Sequence, residues 1–175
     1  GRTSLQLGER ARVLKGFMNI LRYQANVTSA TKFKLSKRSI QYIDHYQYQI
    51  GSTLYPNNQI DLVTESPSVS GGTAAGTRLA GAAEANMNIS ECYSEVLRVV
   101  GGLNSSTGTT LIGQEPFAQS ENNNGCGLIA LDLQTYSDGS VSSGINTSNG
   151  LPCVLNLQKN AAMTNEITQV DTFAI

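Results

Sequence analysis

The chain has 175 residues, of which 39% are hydrophobic and 14% charged, with a formal net charge of −1. A disordered chain would carry high net charge and few apolar residues, so this balance indicates one globular domain long enough to bury a substantial core. No apolar run approaches the roughly 20 residues of a membrane span, and the opening GRTSLQLGER lacks the apolar stretch of a signal peptide.

Residues 12–24, RVLKGFMNILRYQ, satisfy two periodicities. Ala11, Leu14, Met18 and Leu21 follow helical spacing, but the segment also suits a strand that is apolar on both faces. Gly16 at its middle costs a helix about 1 kcal/mol relative to Ala, so a strand is predicted. TKFKLSKR (31–38) reads as a short basic strand, with Lys32 and Lys34 alternating with Phe33 and Leu35. The stretch YIDHYQYQIGSTLYP (42–56) holds four tyrosines and the single histidine. Its alternation places Tyr42, Asp44, Tyr46, Tyr48 and Ile50 on one face of a strand, and Ile43, His45, Gln47 and Gln49 on the other. Gly51 and Pro56 mark its exit and turn.

SPSVSGGTAAGT (66–77) is a small-residue loop. The region 78–102 is the one helical pattern, centred on about 83–100, with Ile89, Tyr93, Val96, Leu97 and Val100 on one stripe and Gly101-Gly102 as its stop. Further loops lead to a strand at 126–136, a turn-rich segment at 137–152, and two short strands in CVLNLQKN and ITQVDTFAI. Six or seven short strands, one helix and long Ser/Gly/Asn loops predict an antiparallel sandwich in a single domain, 1–175. The chain lacks an initiator Met and stops on VDTFAI, so it reads as part of something longer.

Catalysis finds little to stand on. His45 is the lone imidazole, and the adjacent Asp44 points to the opposite face of a regular strand. Glu91 and Glu95 share a helix face, and Glu95 is expected to be solvated beside Arg98. The glycines of 66–77 do not form a phosphate-loop pattern, and no nucleophile-elbow, zincin or Ca²⁺-loop spacing occurs. Cys92, Cys126 and Cys153 are odd in number and widely spaced, which fits buried free thiols rather than a disulfide framework or zinc site, and points to a reducing compartment. No cofactor, metal or catalytic residue is expected. Charge is segregated: residues 1–40 carry nine Lys/Arg and one acid, whereas residues 41–175 carry three Lys/Arg and twelve acids. Lys32 and Lys34 fit the wet face of a strand, so a basic end of this kind is solvated, meets acidic surface on a neighbouring subunit, or makes weak contact with nucleic acid.

Taken together, LKGFMNILRYQ (14–24), YQYQIGSTLYPNNQI (46–60), AEANMNISECYSEVLRVVG (83–101) and LIALDLQTYSDGSVSSGINTSNGLPCVLNLQ (128–158) running into VDTFAI form an order that resembles a known family. It is similar to the C-terminal jelly roll of double jelly-roll, hexon-like major capsid proteins, such as those of adintoviruses, Polinton-type elements and virophages. Those proteins hold two jelly rolls, and this chain has room for one. The resemblance implies an all-β jelly-roll sandwich with long polar loops and one short helix. It also implies homotrimers that build an icosahedral shell in a virion, with penton and minor capsid proteins as further partners and no enzymatic activity. Lys32, Lys34, Lys37, Arg38, Tyr46, Tyr48 and Tyr55 are the expected intersubunit contacts. The alternatives are a single jelly-roll penton protein, or a sandwich that binds a glycan or receptor, with Tyr46, Tyr48 and Tyr55 as stacking residues.

Overall fold

The computed structural model describes residues 1–23, 38, 40, 43–62, 90–100, 117, 126–134, 143–159 and 167–175. Over these residues the protein is an all-β sandwich of two antiparallel sheets with one short helix. The strands are β1 (Arg2–Leu7), β2 (Gly16–Tyr23), β3 (Ile43–Ile50), β4 (Thr53–Asp61), β5 (Ile129–Asp132), β6 (Cys153–Lys159) and β7 (Ile167–Ala174), with the helix α1 (Ser90–Val99) between β4 and β5. Sheet order is β1-β6-β3-β4 in one layer and β5-β2-β7 in the other. Among these seven strands, the chain changes sheet at every connection except the β3–β4 hairpin.

The core forms where the inward faces of the two sheets meet. Phe17 on β2 stacks on Tyr48 of β3 at 5.7 Å between ring centroids, and Tyr46 meets Tyr48 edge-on at 6.2 Å. The Tyr48 hydroxyl donates to Asn19 Oδ1 at 2.6 Å, and Asn19 Nδ2 donates to Thr172 Oγ1 on β7 at 2.8 Å. This chain of polar contacts joins β3, β2 and β7 through the middle of the core, so each buried polar group has a partner. Leu155 and Leu157 of β6, Ile60 of β4 and Leu21 of β2 complete the apolar packing around it.

Within the ambiguous segment 12–24 the structure has a strand at Gly16–Tyr23, and Gly16 has a second role. A side chain there would meet Leu131 O at 2.7 Å, so Gly lets the backbones of β2 and β5 approach. Gly51 turns the β3–β4 hairpin at φ 61. Pro56, expected at a turn after the tyrosine strand, lies inside β4, where the Tyr55–Pro56 peptide is cis.

The expected face assignment of the tyrosine strand needs one correction. Ile43 and Tyr46 are both buried although they are three residues apart. A register shift between Ile43 and His45 against β6 inserts Asp44 as an extra residue and reverses the parity. The Asp44 carbonyl accepts instead from the Leu62 amide, at 2.8 Å.

The helix also differs from its expected stripe. Cys92, Glu95 and Val96 are its buried residues, and Glu95 is not solvated. The reason is the outer edge of β5. Leu133 donates to Lys15, so the alternate groups of Leu128, Ala130 and Asp132 point away from β2. Cys92 Sγ reaches Leu128 O, Tyr46 donates to Ala130 O, and Asp132 N donates to Glu95 Oε2 at 3.1 Å. Side chains thus satisfy an edge that would otherwise be open for pairing. Arg98 pairs with Glu95 one turn on, which compensates its charge. The part of the expected helix before Ser90 lies outside the described residues.

Candidate functional site

The tyrosines are structural. Tyr46 is 1% exposed and Tyr48 fully buried, and burial holds both hydroxyls well above their ordinary pKa. Tyr55 pairs with Tyr48 across the hairpin, so it shares that inward face and packs against the core. Tyr46 and Tyr48 thus pack between the sheets, with their hydroxyls on Ala130 O and Asn19 Oδ1, one of the two packings open to them; as buried rings they are not surface contacts or stacking residues, and Tyr55 is half-buried. Arg38 is half-buried and forms a parallel bridge with Cys126, whose carbonyl accepts from Arg38 Nε at 3.1 Å. Lys32, Lys34 and Lys37 lie outside the described residues.

The thiols are free. Cys92 and Cys153 are buried, and Cys126 is half-buried. Burial pushes the Cys92 thiol up to about 12, where it is protonated and unreactive. Among the described residues, no group of three or more His, Cys, Asp or Glu side chains is placed to hold a metal ion. No described helix is long and apolar enough to cross a membrane.

The histidine does have an acidic partner, but not its sequence neighbour. His45 Nδ1 lies 2.7 Å from Asp61 Oδ1, because His45 and Asp61 are opposite one another in the β3–β4 register. Strand pairing over sixteen residues created this contact, and adjacency in sequence could not reveal it. The pair lies on the outer side of the sheet, where the Asp61 side chain is 53% exposed.

Two outward surfaces remain. On the outer face of the four-stranded sheet lies a groove of about 370 Å³, crossed by β1, β6, β3 and β4. Its lining is rich in carboxamides: Gln47 and Gln59 from the hairpin, Asn156 and Gln158 from β6. One wall is an excursion in β4, where Tyr55 pairs with Tyr48 but Ile60 pairs with Tyr46, leaving four residues opposite Gln47. Gln47 Nε2 holds that excursion by donating to Pro56 O at 2.9 Å and Asn57 O at 3.1 Å.

The second surface is the outer face of the three-stranded sheet. Register places Met18 opposite Phe173 and Ile20 opposite Asp171; Met18 and Ile20 are half-buried and pack against the core, whereas Phe173 is exposed. Phe173 is 50% exposed and Ile175 44%, so a small apolar patch faces outward at the end of β7. Further along the same strands lies the Arg22–Asp171 ion pair, whose hydrogen bond holds the Asp171 carboxyl below its usual range. Phe173 sits in the mixed run ITQVDTFAI, whose local pattern does not show which side of β7 is covered.

Compared with known proteins, the chain matches no family model, no curated protein and no solved structure.

Proposed function

We propose that the protein is a shell-building structural subunit, a jelly-roll capsid protein that assembles as homotrimers in an icosahedral lattice, as the resemblance of its motifs to hexon-like capsid proteins implies. The observation that carries this reading is the exposed apolar end of β7, where Phe173 is 50% and Ile175 44% exposed. Apolar side chains left on the outside of a finished core suit contact with another protein surface. A shell repeats one interface many times, so a patch of modest size suffices. The core supports the same reading, since a subunit that must hold position under load needs sheets locked together, and the Tyr48–Asn19–Thr172 chain does this.

Penton and minor capsid proteins are further partners in this proposal, the basic first forty residues supply contacts to acidic neighbours or to the genome, and the setting is a virion assembled in a reducing compartment. The test is sedimentation of the wild-type chain beside Phe173→Asp. Assembly in the wild type that the aspartate abolishes, with the melting temperature kept, is expected. Equal assembly in both would refute the use of this patch.

A further inference from the structure

The carboxamide groove on the opposite sheet goes beyond shell building, and the geometry points to a glycan-binding site there. The groove has about 370 Å³, within the range of small-ligand sites. Its polar side chains are mostly uncommitted among the described residues. Ser4 Oγ donates to Asn156 Oδ1, which leaves Asn156 Nδ2 as a donor. Gln47 uses only its Nε2 on the β4 excursion, which leaves Oε1 as an acceptor. Gln158 and Gln59 line the groove, each with both a donor and an acceptor. His45 Nδ1 is held by Asp61 Oδ1 at 2.7 Å, which orients the ring and leaves Nε2 for a further hydrogen bond.

A surface of paired donors and acceptors with little formal charge matches vicinal hydroxyls, each of which both donates and accepts. A phosphate would need several cations, whereas the lining supplies Arg2 and a histidine already held by a carboxylate. An apolar peptide would need hydrophobic pockets, whereas the exposed apolar side chain here is Leu54 on the β4 rim, 40% exposed. Leu54 suits the C–H face of a sugar ring. Tyr46 borders the groove, but its ring is buried in the core, so stacking on it plays no part. It is independent of the shell-building role: a monomer could carry it, and a shell could form without it.

The test presents biotinylated protein, clustered on streptavidin to raise avidity, to an array of neutral and sialylated oligosaccharides. The wild type is compared with the double variant Gln59→Ala, Gln158→Ala, and with Gln169→Ala on β7 as a control. Binding to a defined set of oligosaccharides is expected, weakened about tenfold or more in the groove variant and unchanged in the control. Melting temperatures of all three establish that the fold is kept, and amide shifts on titrating the best-bound oligosaccharide are expected at β3, β4 and β6. Absence of binding to every oligosaccharide, or equal binding by the groove variant, would overturn the inference.

Discussion

Tyr48→Phe isolates one hydrogen bond in the centre of the sandwich. The ring remains, so the stack on Phe17 at 5.7 Å and the edge contact with Tyr46 at 6.2 Å persist. What disappears is the hydroxyl that donates to Asn19 Oδ1 at 2.6 Å, between two side chains that are both 0% exposed. A buried acceptor that loses its donor costs about 1–3 kcal/mol. In a domain of this size each kcal/mol moves the melting temperature by roughly 2–4 °C, so a loss of about 2 kcal/mol is read as roughly 4–8 °C. The assay is urea and thermal unfolding of the wild type, Tyr48→Phe, Asn19→Leu and the double variant. Tyr48→Phe strands Asn19 Oδ1 and Asn19→Leu strands the Tyr48 hydroxyl, while Thr172 loses its donor equally in Asn19→Leu and the double variant, so the two penalties should fall short of additivity by about 1 kcal/mol or more. A Tyr48→Phe protein within about 0.5 kcal/mol of wild type, with additive effects in the cycle, would refute the claim that this bond joins the sheets.

Gly16→Ala drives a methyl group toward Leu131 O, 2.7 Å from the ideal Cβ position, and should destabilise the fold by about 1–3 kcal/mol in chemical denaturation. In native protein treated with iodoacetamide, half-buried Cys126 should react before Cys153, and Cys92, with its thiol pushed up to about 12, only on unfolding; peptide mass mapping reads the order. Burial raises the Tyr46 and Tyr48 hydroxyls above their ordinary value near 10. Above about pH 10 the unfolded chain therefore releases protons that the folded chain keeps. Stability from this source is complete below that pH and lost as pH rises, so two tyrosines should ionise only together with alkaline unfolding, followed by ultraviolet absorbance. Neutralising Lys32, Lys34 and Lys37 should weaken assembly and flatten its dependence on salt, measured by light scattering.

The sequence carried the all-β class through residues whose local preference and tertiary role agree. Gly16 argued against a helix and proved to be a close-approach position between strands. β5, β6 and β7 announced themselves by apolar runs. β1 is hard to see because RTSLQL is short and largely polar, although Thr3, Leu5 and Leu7 alternate onto its more buried face. β4 was hidden by Pro56, Asn57 and Asn58, which read as a turn but form an excursion inside a paired strand. The helix stripe was misplaced for a different reason. Cys92 and Glu95 face inward because the backbone edge of β5 demands polar partners, a requirement set by a strand more than thirty residues away. The outward apolar patch and the carboxamide groove depend on which strands become neighbours, and local periodicity holds no record of that.

The central claim, that this chain builds shells, is tested most directly by negative-stain microscopy of the purified wild-type protein with its particle mass measured in the same preparation. The account predicts trimers, and at higher concentration sheets or closed shells of regular spacing. Monodisperse monomers at every concentration and salt condition would contradict it.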